Sequence, residues 1–311
     1  MSESRNGNIS RRDAGHLECR LAEFIERVVT HDLASHAAAC CSMPYEEAQF
    51  LLRIYANEAF AGLRLIAPLL TSGTRVLEVG SGIGVLSAFL AEAGSEIVGI
   101  EPGAIGFGFM SEMAAAIRAR VDLPSAFKPL PIGAGDLTTA KHGLFDLIYS
   151  VNVVEHINDL DEAFRAMAGV LGEAGVMVHH CPNYALPYEP HFGIPLVPVF
   201  PRATRYVFPH LMTKYPGLWD SFNFVTAGRI RRIARRISLD VTFDRHVMGD
   251  AVRRLQQDPI YRDRQRTTLV RGVSAFSAMG GLRLIDAIPP GLASPMIMRL
   301  RHARCAGAGR H

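Results

Sequence analysis

Arg75-Val-Leu-Glu78-Val-Gly80-Ser-Gly82-Ile-Gly84, followed by Ile97-Val-Gly-Ile-Glu101-Pro102, is the stretch from which the fold is read. Val76, Leu77 and Val79 are apolar and partly β-branched, the pattern of a short buried strand. That run breaks into three closely spaced glycines, and from Val85 to Ala93 the pattern turns helical. Ile97 to Ile100 is a second strand that ends on a carboxylate. Strand, glycine turn, helix, strand and acid form one βαβ unit shaped to hold a nucleoside.

The glycine spacing restricts which nucleoside. A dinucleotide site asks for G-x-G-x-x-G, with a helix N-terminus facing a pyrophosphate. Here the glycines are Gly80, Gly82 and Gly84, and Val85 stands where that pattern would want glycine. Glu78 lies two residues before the first glycine. A fixed negative charge is ill-suited to pyrophosphate but pairs with an ammonium group, so the expected ligand is a nucleoside with a cationic amino-acid tail. Glu101 would meet the ribose, because two adjacent hydroxyls donate well to one carboxylate.

These motifs, joined by Phe145-Asp-Leu-Ile-Tyr-Ser-Val-Asn-Val-Val-Glu-His-Ile157 further along, resemble class I S-adenosylmethionine-dependent methyltransferases. The resemblance runs from about Thr74 to Pro182 and returns at Phe224 to Phe243. It implies an α/β, Rossmann-like fold: a mostly parallel seven-stranded sheet with an antiparallel last strand, N-terminal helices and a helical cap. It also implies S-adenosyl-L-methionine as cofactor. Gly80, Ser81, Gly82 and Gly84 would wrap the methionine portion, Glu78 its amino end, and Glu101 with Pro102 the ribose. Asp136 and Leu137 would meet the adenine edge, and the chain would pass over the cofactor at Asn152.

Composition sets the outer bounds. With 311 residues, 49% of them hydrophobic, the chain can bury one large core or a core with an attached cap. The formal charge of +3 is small for this length and its cations are almost all arginine, which makes no nucleic-acid footprint. Five scattered cysteines without metal-site spacing fit a reduced cytoplasmic compartment, with Cys40-Cys41 expected as small buried hydrophobes. Met1 to Asp13 lacks the apolar core of a signal peptide, and no apolar run reaches membrane-spanning length, so no membrane association is expected.

The expected organisation is a disordered tail over 1–13, N-terminal helices over 14–73 and a cofactor core over 74–183. A substrate loop and lid over 184–223 follows, then a helix and strand six over 224–243. A helical insertion over 244–290, serving as substrate cap or homodimer contact, leads to a last strand over 291–302 and a tail over 303–311. Apolar positions recur at helical spacing from His16 to Ala39, and Pro44 with Glu46 and Glu47 opens a second helix. These helices either cover the ligand or pad one sheet face. Pro129 to Ile132 reads as a third strand, Phe145 to Ser150 as the fourth and Gly175 to Pro182 as the fifth.

The tip of that fifth strand carries the acceptor chemistry. Asn183-Tyr184 and Tyr188-Glu189-Pro190-His191-Phe192 load a proline-stiffened loop with polar and aromatic groups, which suits a substrate mouth better than a solvent loop. This loop also resembles that of a bacterial subset of small-molecule and glycan-associated methyltransferases. Expected substrate contacts are Asn183, Tyr184, Tyr188, Phe192 and Trp219. Candidate bases are His191, His180 and His156, with Glu189 as orienter or alternate base. Glu155 and His156 sit with Asn152 in a polar knot whose role is either chemistry or pocket support.

No metal is expected, because His179 and His180 are adjacent on a strand and face opposite ways, and no third ligand has recognisable spacing. The leading function is methyl transfer to an oxygen or nitrogen of a small molecule, a specialised metabolite or a sugar. The alternatives are an RNA methyltransferase, drawing on Arg229 to Arg236, and a non-catalytic nucleoside-binding or scaffold protein. The plainer account of that arginine run is a solvated helix face.

Overall fold

β1 (Arg75–Val79) is flanked by two parallel neighbours in the computed structural model, β2 (Glu96–Ile100) and β3 (Phe145–Val151). The registers run from Arg75 opposite Glu96 to Val79 opposite Ile100, and from Val76 opposite Leu147 to Glu78 opposite Tyr149. Val76, Leu77, Phe145, Leu147 and Ile148 are all buried, as strands covered on both faces require. The structure describes residues 11–103, 109–120, 129–212, 217–258, 262 and 267–303. They fall into two compact units, one of residues up to 133 with 145–151, the other of 134–144 with 152 onward.

In the first unit the glycine turn is sewn to β2: the N–H groups of Gly80 and Ser81 both donate to the Ile100 carbonyl, at 2.8 and 3.0 Å. α4 (Val85–Glu92) follows Gly84, whose φ of +77° suits glycine. The expected strand at Pro129 to Ile132 shrinks to a single bridge between Leu130 and Ile100. The Ile132 N–H, which would make the next ladder bond, turns back onto the Leu130 carbonyl at 2.9 Å, so the pairing goes no further.

The helical run expected from His16 to Ala39 is two helices, α1 (Arg11–Val28) and α2 (His31–Cys40). Thr30 divides them, its hydroxyl accepting from the Leu33 N–H at 3.4 Å as an N-cap. α3 (Tyr45–Ile66) begins with Glu46 and Glu47 in its first turn. It packs against the glycine turn and the elements beside it. Gly62 packs against Leu86 and Tyr149, while the Tyr55 ring lies 3.7 Å from where a Cβ on Gly82 would stand. Cys40 is exposed and Cys41 half-buried, contrary to their expected burial, because α2 ends there on its solvent side. α5 (Phe109–Arg118) completes the unit.

In the second unit β8 (Met296–His302) pairs antiparallel with β4 (Leu171–Cys181) and with β7 (Leu239–Phe243). The last strand is therefore antiparallel, as expected. Among the described residues the main sheet has six strands where seven were expected. A short hairpin, β5 (Tyr188–Glu189) with β6 (Ile194–Pro195), sits in the loop after β4. α6 (Thr139–His142) and α7 (Leu160–Gly169) precede that loop. The stretch expected to be a lid holds α8 (Thr204–Val207), α9 (Pro209–Met212) and α10 (Leu218–Ser221).

α11 (Ala227–Arg236) is capped by Thr226, whose side chain accepts from the Arg229 N–H. Ile230, Ile233 and Ala234 are buried, Arg236 pairs with Asp161 at 2.9 Å, and Arg231 lies over the Phe243 ring. These are features of the solvated helix face. The insertion contains α12 (Val247–Gln257), α13 (Thr267–Phe276) and α14 (Leu282–Asp286). Among the described residues no helix is long and apolar enough to cross a membrane.

Candidate active site

Two carboxylates and a glycine turn meet in the first unit. The Gly82 N–H donates to Glu101 Oε2 at 3.0 Å, and the Gly103 N–H to Glu101 Oε1 at 3.3 Å. Gly82 has φ +54°, a conformation that costs a non-glycine residue roughly 1–2 kcal/mol. Burial raises the Glu101 carboxyl against the pull of those two N–H donors. Glu78 accepts the Ser87 hydroxyl. Burial pushes its carboxyl up to about 7, opposed by the Ser87 and Tyr149 hydroxyls and assisted by the charge of Glu101. The Ser81 hydroxyl is buried without a hydrogen-bond partner among the described residues. An orphaned hydroxyl and two acids set back beside a glycine cradle fit a cationic nucleoside.

The raised Glu78 carboxyl has a consequence for stability. Between its ordinary 4.5 and about 7 the folded chain holds a proton that the unfolded chain has released. This group's stabilising contribution is therefore full below pH 4.5 and is lost as the pH rises toward 7. Denaturant melts across that range should show Glu78→Gln losing less stability with rising pH than the wild type. Parallel curves for the two proteins would show that Glu78 titrates normally.

In the second unit the loop after β4 is organised around a buried carboxylate. Glu189 is fully buried; its Oε1 accepts from the His191 N–H at 3.1 Å and from His191 Nδ1 at 2.6 Å. Its Oε2 accepts from the Phe192 N–H at 2.6 Å, and the Tyr184 hydroxyl donates to Oε1 at 3.4 Å. Removing that carboxylate leaves buried donors unsatisfied at about 1–3 kcal/mol each. Glu189→Ala should therefore lower the denaturation free energy by at least about 2 kcal/mol; an unchanged midpoint would refute the loop's dependence on it.

His156 stands beside His191, with ring centroids 5.5 Å apart, and Phe222 lies 5.1 Å from both rings. His156 Nδ1 is 2.8 Å from the Ser221 hydroxyl, which itself donates to the Leu218 carbonyl at 2.7 Å. Burial, with a smaller contribution from His191, lowers the His156 ring to about 3, so it is neutral near pH 7. Glu155 is fully buried next to it in the chain. Among the described residues, Glu155, His156 and His191 each offer one ligand atom, all within 4.8 Å of one another. The sequence spacing gave no sign of this grouping.

The other expected site residues divide. Asn183 is fully buried with its amide committed to backbone: Nδ2 donates to the Gly291 and Ala293 carbonyls, and Oδ1 accepts from the Ala185 and Ala227 N–H groups. That corrects its expected role as a substrate contact, since no side-chain hydrogen-bonding group is left over. Trp219 is 2% exposed, packed edge-on against Phe192, Phe222 and Phe224. It therefore belongs to the wall. His180 is lowered to about 4 by burial and by Arg254, and its Nδ1 has no hydrogen-bond partner among the described residues. Asn152 has φ +54° and donates its N–H to the His180 carbonyl at 2.8 Å. Asp136 is exposed on a short turn, Leu137 is buried, Tyr188 is half-buried and Pro102 is exposed.

Sequence reasoning left Ser221 and Phe222 out of the site and put Glu155 in the polar knot without a role of its own. Glu155 had a signal in its place beside His156; Ser221, 65 residues from His156, had none.

A parallel strand–glycine turn–strand unit with its paired acids, joined in one chain to a buried Glu–His pair, defines a nucleoside-binding α/β enzyme. The chain belongs to the class I S-adenosylmethionine-dependent methyltransferase family: a family model described as a methyltransferase domain matches residues 51–242. It is 31% identical over 236 residues to an uncharacterised protein of Mycobacterium tuberculosis, covering 73% of this chain and 78% of that one. It is also 31% identical over 105 residues to a ubiquinone biosynthesis O-methyltransferase of Rhizobium rhizogenes, covering 34% and 40% of the two chains. Among solved structures it resembles geranyl diphosphate C-methyltransferase of Streptomyces coelicolor, with TM-score 0.50, 14% identity and coverage of 83% and 84%. That likeness concerns the fold.

Proposed function

We propose that this enzyme methylates an oxygen or nitrogen of a small molecule, such as a specialised metabolite or a sugar, with oxygen the favoured acceptor. The observation that carries the reading is the buried Glu189 carboxylate 2.6 Å from the half-buried His191 ring, beside a second imidazole. A hydroxyl acceptor is a poor nucleophile until its proton is drawn away, and an oriented imidazole suits that task. An amine acceptor needs positioning alone. The O-methyltransferase named among the relatives supports oxygen.

Bound S-adenosylmethionine supplies a methyl group already activated on sulfur. The chain's own residues then have three tasks. Glu78 takes the ammonium end of the cofactor, while Glu101 holds the ribose hydroxyls and keeps the Gly82 turn in place. Glu189 accepts the His191 Nδ1–H, which puts the imidazole lone pair on Nε2, where it engages the acceptor. Phe222, Trp219 and Tyr184 keep that region dry, which strengthens each polar interaction within it. Aligning acceptor and methyl group is worth on the order of 7–11 kcal/mol in favourable cases.

Glu78 also makes cofactor binding pH-dependent. Only its ionised form attracts the ammonium group, so affinity should rise as the pH passes through about 7. The demethylated cofactor keeps the same ammonium group and should follow the same curve. Calorimetric titration from below to above neutrality checks this, and a flat profile for both ligands would remove Glu78 from the site. A screen of hydroxyl- and amine-bearing acceptors by product mass tests the function itself. Binding of the cofactor without transfer to any small molecule, alongside transfer to RNA, would overturn the acceptor class.

A further inference from the structure

We propose that Glu155, His156 and His191 form a binding site for one divalent transition-metal ion. The Ser221 hydroxyl donates its hydrogen to the Leu218 carbonyl, so toward His156 it acts as acceptor, and His156 Nδ1 carries the proton between them. His191 Nδ1 faces a carboxylate oxygen of Glu189 at 2.6 Å and carries a proton for the same reason. In a neutral imidazole protonated on Nδ1 the lone pair resides on Nε2. Both rings are thus set in the tautomer that ligates through Nε2.

A carboxylate completes the group. Glu155 is fully buried, and its ligand atom lies within 4.8 Å of those offered by the two rings. One fully buried and two half-buried side chains thus place three ligand atoms within the span of a single ion's coordination shell. The surroundings match those of a metal centre: Glu189 behind His191 and Ser221 behind His156 fix each ring by its far nitrogen, the outer-shell arrangement that raises ligand basicity. Two imidazoles and one carboxylate suit zinc, iron(II), cobalt(II) or manganese(II) and leave coordination positions open.

The inference rests on the acceptor reading above for its function, and it narrows that reading to oxygen. An acceptor hydroxyl entering an open position is acidified by the ion. Its proton leaves to solvent and an oxygen lone pair forms the O–C bond. The S–C bond breaks with its electron pair passing to sulfur, giving a neutral thioether. His191 then engages the acceptor through the ion.

The test uses the full chain, stripped with a chelator and titrated with cobalt(II). One tightly held equivalent is expected, with d–d absorption of mixed nitrogen–oxygen ligation. His191→Gln and the double variant His156→Ala/His191→Ala should lose that signal while still binding S-adenosylmethionine, which shows them folded. Glu189→Gln, which touches only the outer shell, should weaken cobalt binding by roughly 10–100-fold. Wild-type protein without bound cobalt, or a double variant that binds it equally well, overturns the proposal. The two readings separate cleanly. Loss of turnover in His191→Gln with no ion bound by the wild type would sink the metal site and keep the acceptor reading. Wild-type cobalt binding that the variants abolish, with turnover unaffected, would keep the metal site and sink the acceptor reading.

Discussion

Replacing His191 by alanine is expected to slow single-turnover methyl transfer by roughly 10²–10⁴-fold, the range for an acid–base or acceptor-activating group. The same change should alter the free energy of S-adenosylmethionine binding by less than about 0.5 kcal/mol, the usual bound for independent sites. The asymmetry follows from the division of labour. The carboxylates proposed to hold the cofactor, Glu78 and Glu101, belong to the first unit, whereas His191 and its partner Glu189 belong to the second. His191→Ala keeps the Glu189 carboxylate and its bonds to the backbone N–H groups of residues 191 and 192, so the loop should survive. Rapid-quench rates set against calorimetric cofactor titration decide the matter. Matching losses in rate and affinity would reject His191 as the acceptor-side group.

The second large effect belongs to Glu101. Its carboxylate accepts from two backbone N–H groups at 3.0 and 3.3 Å, which leaves further lone pairs for the ribose. Hydrogen bonds to a charged group contribute about 1.5–3 kcal/mol each. Losing two of them in Glu101→Ala should weaken cofactor binding by roughly 10²–10⁴-fold. Glu101→Gln retains the shape and one acceptor oxygen, so it should fall between wild type and alanine. The demethylated cofactor has the same ribose and should lose as much. Wild-type affinity in both variants would place the ribose elsewhere and undo the nucleoside reading of β2.

Much of the first unit was legible because its signals are local. The apolar run of β1, the glycines that take up left-handed backbone at 80, 82 and 84, and the acid closing β2 lie within one short stretch. Parallel register then carries Glu101 back to the Gly82 N–H. Reading failed where two local signals competed. The apolar period from His16 to Ala39 continues through Thr30, but the cap there breaks the helix. Leu130 makes a single bridge, the Ile132 N–H turning back onto its carbonyl, where apolar character alone suggested a strand.

On the acceptor side the sequence supplied the residue types but not their employment. Asn183 looked like a substrate contact and is instead a four-way clamp on backbone. His156 could be seen in its motif, yet nothing in its neighbourhood along the chain announced Ser221 or His191 as companions.

By itself, then, the order of residues determined a βαβ nucleoside unit, its two acids and the family to which the chain belongs, because backbone conformation and strand pairing follow from short-range preferences and alternation. Only the tertiary structure decided that Glu189 bonds His191 Nδ1, that Ser221 stands at His156 Nδ1, and that Glu155, His156 and His191 converge. Those facts arise where separate loops are packed together, and a pattern that reports local burial carries no record of which distant side chains will share a site.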